Sequence, residues 1–102
     1  MDIGIVSMRY AKALMEYAKS TGTEDRLYTE MRTLSRSFEK HSDLRAALEN
    51  PVLPVQEKFS LICTAAVGDA PAGQELSRFV TLILKNRREA FLQYICLSYL
   101  DL

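Results

Sequence analysis

Apolar positions recur every three to four residues along most of this chain, and no stretch alternates apolar and polar residues for long. That is a pattern of helices without strands. The first segment is the unusual one. In "MRYAKALMEYAK", residues 8 to 19, a step of about 100° per residue gathers Arg9, Lys12, Glu16 and Lys19 into an arc of roughly 80°. Val6, Met8, Tyr10, Ala11, Ala13, Leu14, Met15, Tyr17 and Ala18 spread over roughly 220°. A helix that covers one core needs an apolar stripe little more than about 100° wide. This helix is therefore more apolar than one core requires.

The helix punctuation is plentiful. The first helix is expected from about Ile5 to Ser20, with Gly22 as a left-handed cap. Thr23 offers an N-cap oxygen to a second helix that runs to about Lys40, and Glu24 and Asp25 place negative charge in its first turn. Leu27, Met31, Leu34 and Phe38 give that helix a narrow core stripe. Ser42 is placed to cap a short third helix with Leu44 and Leu48 inward, and Asn50 before Pro51 stops it. Pro54 suits the first turn of a fourth helix, with Val55, Phe59, Ile62, Cys63 and Ala66 as its inner face and Gly68 closing it. "GDAPAG" reads as a turn. A fifth helix is expected over roughly Ala72 to Asn86 and a sixth over roughly Arg88 to Tyr99, joined by a corner at "KNRRE". The expected fold is all-α: a compact bundle of about six helices with short loops, residues 1–102 forming a single domain.

The fifth helix repeats the oddity of the first. With Leu76 at zero, Val80, Ile83 and Leu84 sit near it, while Phe79 and Leu82 widen the apolar sector to roughly 200°. If these two helices lie side by side, their surplus faces form an exposed groove, the shape that receives an amphipathic helix from another chain. The other reading is that both helices sit centrally and every apolar face is buried. Periodicity alone leaves both open.

Composition narrows the function more than the fold. Thirteen basic residues balance thirteen acidic ones in 102, so no bulk charge draws the chain to nucleic acid or an anionic membrane. No apolar run is long enough to span a membrane, and Asp2 stands where an export signal would carry positive charge. Cys63 and Cys96 read as small buried hydrophobes in a reducing compartment, unbridged.

Little points to catalysis. The sole histidine, His41, stands beside Ser42 and Asp43 at a helix junction, and no nucleophile elbow or glycine-rich phosphate loop occurs. One histidine and two distant cysteines are too few ligands for a metal site. The basic run Lys85 to Arg88 reads as a solvated corner, because it has no second basic cluster and only Phe91 as an aromatic neighbour. A helix-turn-helix over residues 42 to 67 would offer only Gln56 and Lys58 as polar readers. No catalytic residue, cofactor or metal is expected.

One family gathers these pieces. "RYAKAL" (Arg9 to Leu14), Asn50–Pro51 followed by Lys58, "RFVTLILKNRR" (Arg78 to Arg88) and the closing "ICLSYLDL" occur in an order and spacing that resembles the delta subunit of bacterial F-type ATP synthase, the counterpart of the mitochondrial oligomycin-sensitivity-conferring protein. The resemblance covers nearly the whole chain. It implies a six-helix N-terminal domain, with the family's C-terminal, stalk-binding domain lying beyond these residues. It also implies that the first and fifth helices form a groove for the amphipathic N-terminal helix of an alpha subunit. Carried over by residue, that groove would use Tyr10, Ala13, Leu14 and Tyr17 from the first helix and Phe79, Leu82 and Ile83 from the fifth. The implied role is a non-catalytic stator part, linking the catalytic head to the peripheral stalk during proton-driven ATP synthesis. Its place would be peripheral, on the cytoplasmic side of the bacterial inner membrane, with b-subunit contact only through the C-terminal domain. Two other readings of the residues are a helical adaptor of the death-fold kind, which the scattered, balanced charge disfavours, and a small helical nucleic-acid binder.

Overall fold

Asp2 sets the start of the first helix. Its Oδ1 accepts from the backbone N–H groups of Gly4 (2.9 Å) and Ile5 (3.3 Å), so α1 spans Ile3–Thr21 and begins two residues earlier than its apolar pattern indicates. The computed structural model describes residues 2–102. Five further α-helices follow among them: α2 (Glu24–Lys40), α3 (Ser42–Glu49), α4 (Val55–Val67), α5 (Gln74–Lys85) and α6 (Leu92–Asp101). A short 3₁₀ turn, Glu89–Phe91, precedes α6. No strand occurs among the described residues.

The helix ends explain the boundaries. Gly22 closes α1 at φ 68°, with Gly22 N–H on the Lys19 carbonyl and Thr23 N–H on the Ala18 carbonyl. Those two bonds satisfy carbonyls that the helix leaves free, in a left-handed position that glycine adopts without a Cβ penalty. The corner after α5 has the same bond pattern. Arg87 N–H donates to the Leu84 carbonyl and Arg88 N–H to the Ile83 carbonyl, with Arg87 left-handed at φ 56°. The basic run is thus a helix ending in which arginine occupies the position where glycine is usual, and α6 starts at Leu92 instead of Arg88. Two expected caps are not used. The Thr23 hydroxyl pairs with that of Thr21 (2.8 Å), and Ser42 is the first residue of α3, with no side-chain cap before it.

α6 packs against both α1 and α2, α2 also packs against α4, and α5 lies against α4 and α1. The expected α2 stripe of Leu27, Met31, Leu34 and Phe38 is buried, as are Ile62 on α4, Leu76 and Ile83 on α5, and Ile95, Cys96 and Tyr99 on α6. The Tyr99 hydroxyl reaches back to the Glu24 carbonyl (3.3 Å), tying α6 to the first turn of α2. The Cα radius of gyration is 12.4 Å, in line with about 13 Å for a folded chain of this length. Leu34→Ala and Ile62→Ala each remove a fully buried side chain and should each cost about 2–5 kcal/mol, read by urea unfolding.

The inner face of α4 differs from its sequence pattern. Val55 is exposed, while Lys58 is buried. The Lys58 Nζ lies 2.7 Å from Glu89 Oε2 in the turn before α6, and both side chains are largely shielded from water. Burying an ammonium on an apolar face is costly unless a carboxylate meets it, and Glu89 supplies that partner.

Cys63 is half-buried and Cys96 fully buried, and both are free. Burial pushes both thiols above their ordinary range, and the thiolate is the reactive form. The thermal melt should therefore be insensitive to reductant, and Cys96 should alkylate only as the chain unfolds. Rapid labelling of both thiols in the native state would contradict this packing.

Candidate partner-binding groove

The surplus apolar face of α1 is divided by the fold. Leu14 turns into the core at 1% exposure, while Tyr10 and Tyr17 are half-buried and Ala13 is exposed. Val6, Tyr10, Ala13 and Tyr17 follow one another by four, three and four residues, the spacing that keeps side chains on one helix face. α5 is divided likewise. Phe79 and Ile83 are buried, and Leu82 remains 43% exposed. Of the seven groove residues expected from the sequence, Leu14, Phe79 and Ile83 thus belong to the packed interior. Tyr10, Ala13, Tyr17 and Leu82 are accessible.

The two helices are bridged across this face by the tyrosine hydroxyls. Tyr10 Oη accepts from Asn86 Nδ2 (2.9 Å), and Tyr17 Oη accepts from Arg78 Nη1 (3.4 Å). The bridges stand seven residues apart on α1 and eight apart from Arg78 on α5 to Asn86 just past its end, a separation of about 10–12 Å along the axes. Between α1 and α5 lies a cleft of about 440 Å³ lined by Val6, Arg9, Tyr10, Ala13, Leu82 and Arg88. Val6, Ala13 and Leu82 make its wall apolar, the Tyr10 ring and the Arg9 and Arg88 guanidinium groups stand beside them, and Ala13 leaves room for close approach. Amphipathic rings of this kind serve a surface that is covered on one side and wet on the other.

Sequence reasoning missed Val6, Asn86, Arg78, Arg9 and Arg88 at this site. Val6, Arg9, Arg78 and Asn86 carry a signal, because each lies four residues from a predicted groove residue, the spacing of one helix face. Arg88 carries none, since it follows the left-handed turn where helical spacing is lost.

Other depressions lie elsewhere on the bundle, two of them apolar in part. One, of about 780 Å³, runs along the opposite flank of α5, with Val55, Phe59, Leu84, Lys85 and Arg87 in its wall. The other, of about 390 Å³, includes His41 and Asp43 beside Leu44 and Leu61. No group of three or more His, Cys, Asp or Glu side chains comes together as a metal site among the described residues.

Comparison with known proteins converges on one family. Residues 6–102 match the family described as ATP synthase delta (OSCP) subunit. The chain is 56% identical over its full length to the ATP synthase subunit delta of Bacteroides thetaiotaomicron and 42% identical over its full length to that of Parabacteroides distasonis, covering 55% and 56% of those proteins. Over 96% of its length it is 35% identical to the corresponding subunit of Paramagnetospirillum magneticum, of which 53% is covered. It therefore spans about half the length of these relatives. No solved structure matches the chain. A helical fold with an open α1–α5 face, a family match from residue 6 to the last residue and identity above half to a named relative lead to one assignment: the chain belongs to the ATP synthase delta (OSCP) subunit family.

Proposed function

We propose that this chain is a non-catalytic stator domain whose α1–α5 groove takes the amphipathic N-terminal helix of an ATP synthase alpha subunit. The observation that carries this reading is the accessible apolar face of Val6, Ala13 and Leu82 between α1 and α5, with Ala13 and Leu82 lying between the Tyr10–Asn86 and Tyr17–Arg78 bridges. An apolar face bordered by polar groups suits an amphipathic helix laid against it with anchors at i, i+3, i+4 and i+7. Residues 1–102 then act as one helical domain that holds the catalytic head, and the b-subunit stalk is met by a separate C-terminal domain. Holding the head against rotation of the central stalk is a mechanical task, needing rigidity and a firm contact instead of a reactive group. No described helix is long and apolar enough to cross a membrane, consistent with peripheral attachment through the complex, on the cytoplasmic side.

The test is a calorimetric titration with a peptide copying the N-terminal segment of the cognate alpha subunit. One-to-one binding in the micromolar range or tighter is expected, with a negative heat-capacity change from apolar burial. Absence of binding at high micromolar peptide would overturn the reading.

A further inference from the structure

One end of the groove carries two guanidinium groups from opposite walls. Arg9 on α1 and Arg88 beyond α5 line the cleft together with Val6, Ala13 and Leu82. Arg88 is held in place by its backbone bond to Ile83 (2.9 Å) and by its guanidinium, 5.7 Å from the centre of the Phe91 ring. The four ion pairs among the described residues use Arg26, Arg45 and Lys58 as cations and engage neither Arg9 nor Arg88. Nearby acids are committed elsewhere or lie off this end. Asp2 shares a separate depression with Arg9 but caps α1. Glu89 binds Lys58. Glu16 lies two turns farther along α1, at the Tyr17 end. At that end Arg78 bonds Tyr17, and Glu75, which feels Arg78, is bound by Arg26.

We infer that the helix accepted by this groove presents one or two carboxylates opposite Arg9 and Arg88, so that charge as well as apolar area selects it. This rests on the groove reading above and names the chemistry of its occupant. A planar guanidinium matches a carboxylate with paired donors. An apolar strip alone accepts any amphipathic helix of suitable width, whereas two cations at its end reject one that places Lys or Arg there. Charges at a rim act mostly on the rate of association and its salt dependence.

The cleft on the other flank of α5 supplies a control, because Lys85 and Arg87 stand in its wall. General attraction of an acidic peptide to a basic surface would use those cations equally. The experiment measures binding kinetics of the alpha-subunit peptide from about 50 mM to about 500 mM salt. It compares the unaltered chain, Arg9→Glu with Arg88→Glu, and Lys85→Glu with Arg87→Glu, each checked by a melting curve. The unaltered chain should bind more weakly as salt rises. The Arg9/Arg88 variant should bind at least about tenfold more weakly at low salt, mainly through slower association, and its binding should strengthen as salt rises, because the reversed charges repel the carboxylates until they are screened. The Lys85/Arg87 variant should bind as the unaltered chain does. A peptide with its carboxylates changed to amides should bind the unaltered chain more weakly than the acidic peptide does and without salt dependence. Arg9→Gln alone, at an exposed position, replaces the double variant if that fails to fold. Salt-independent binding by the unaltered chain, or equal losses in both double variants, would overturn the inference while leaving the groove reading intact. No binding at any salt would remove both.

Discussion

Leu76→Asp should abolish the cooperative melt of this domain, whereas Leu82→Asp should keep the fold and lose the partner helix. The two leucines lie on the same helix, about 120° apart around its axis. Leu76 is 0% exposed and Leu82 43%. At position 76 the substitution forfeits about 1.5–3 kcal/mol of apolar burial and adds several kcal/mol for a carboxylate placed among hydrocarbon without donors. Together these approach the whole net stability of a small domain, about 5–15 kcal/mol. At position 82 the new carboxylate stays in water, and the lost partial burial is worth about 1 kcal/mol. That lowers the melting temperature by about 4–8 °C. Docking is another matter, because a helix laid over residue 82 must dehydrate the carboxylate. The substitution also places an anion in the cleft that Arg9 and Arg88 line, in competition with the incoming helix. Circular dichroism melts and a peptide titration on each variant separate the two effects. If both variants unfold, the accessible face is core; if both fold and bind, the groove is not the docking surface.

Lys58→Met should destabilise the domain by about 3 kcal/mol, a large effect for a residue whose type is usually found in solvent. The substitution leaves Glu89 without its ammonium partner in a site where Glu89 Oε1 already lacks a hydrogen bond. Removing one member of a shielded pair costs more than the pair itself contributes, because the remaining charge stays dehydrated. Lys58→Met combined with Glu89→Gln should therefore recover most of the loss. Urea unfolding at neutral pH measures both. A single-variant loss under about 1 kcal/mol would mean that Glu89 swings out to water when Lys58 is gone.

The helices were legible because their signals are local. Gly22 ends α1, the Leu27–Met31–Leu34–Phe38 stripe faces inward, and Asn50–Pro51 stops α3 within a turn of where the residues themselves indicate. Lys58 was not legible. Its burial depends on Glu89, 31 residues away in sequence, and no period or cap on α4 reports that pairing. The Lys85–Arg88 run was readable as a corner but not as a left-handed helix ending, because Arg87 stands where glycine would have signalled it. The groove lies between these cases. Arc width revealed that α1 and α5 carry too many apolar residues, but an arc does not tell which part of it a neighbouring helix covers. Phe79 and Leu82 are about 60° apart around α5, and the edge of the core falls between them. Neither helix alone contains the position of that edge; α4, α6 and the corner after α5 set it.

The most direct test of the groove as the alpha-helix site is an NMR measurement of contacts between methyl-labelled protein and the alpha-subunit peptide. Cross-relaxation from the Ala13 and Leu82 methyls to apolar side chains of the peptide is expected, with amide shifts along Val6–Tyr17 and Arg78–Asn86. Val55 and Leu84, on the other flank of α5, should show no such contact. Cross-relaxation from Val55 and Leu84 with none from Ala13 and Leu82 would contradict the assignment and move the docking surface to the α4–α5 cleft.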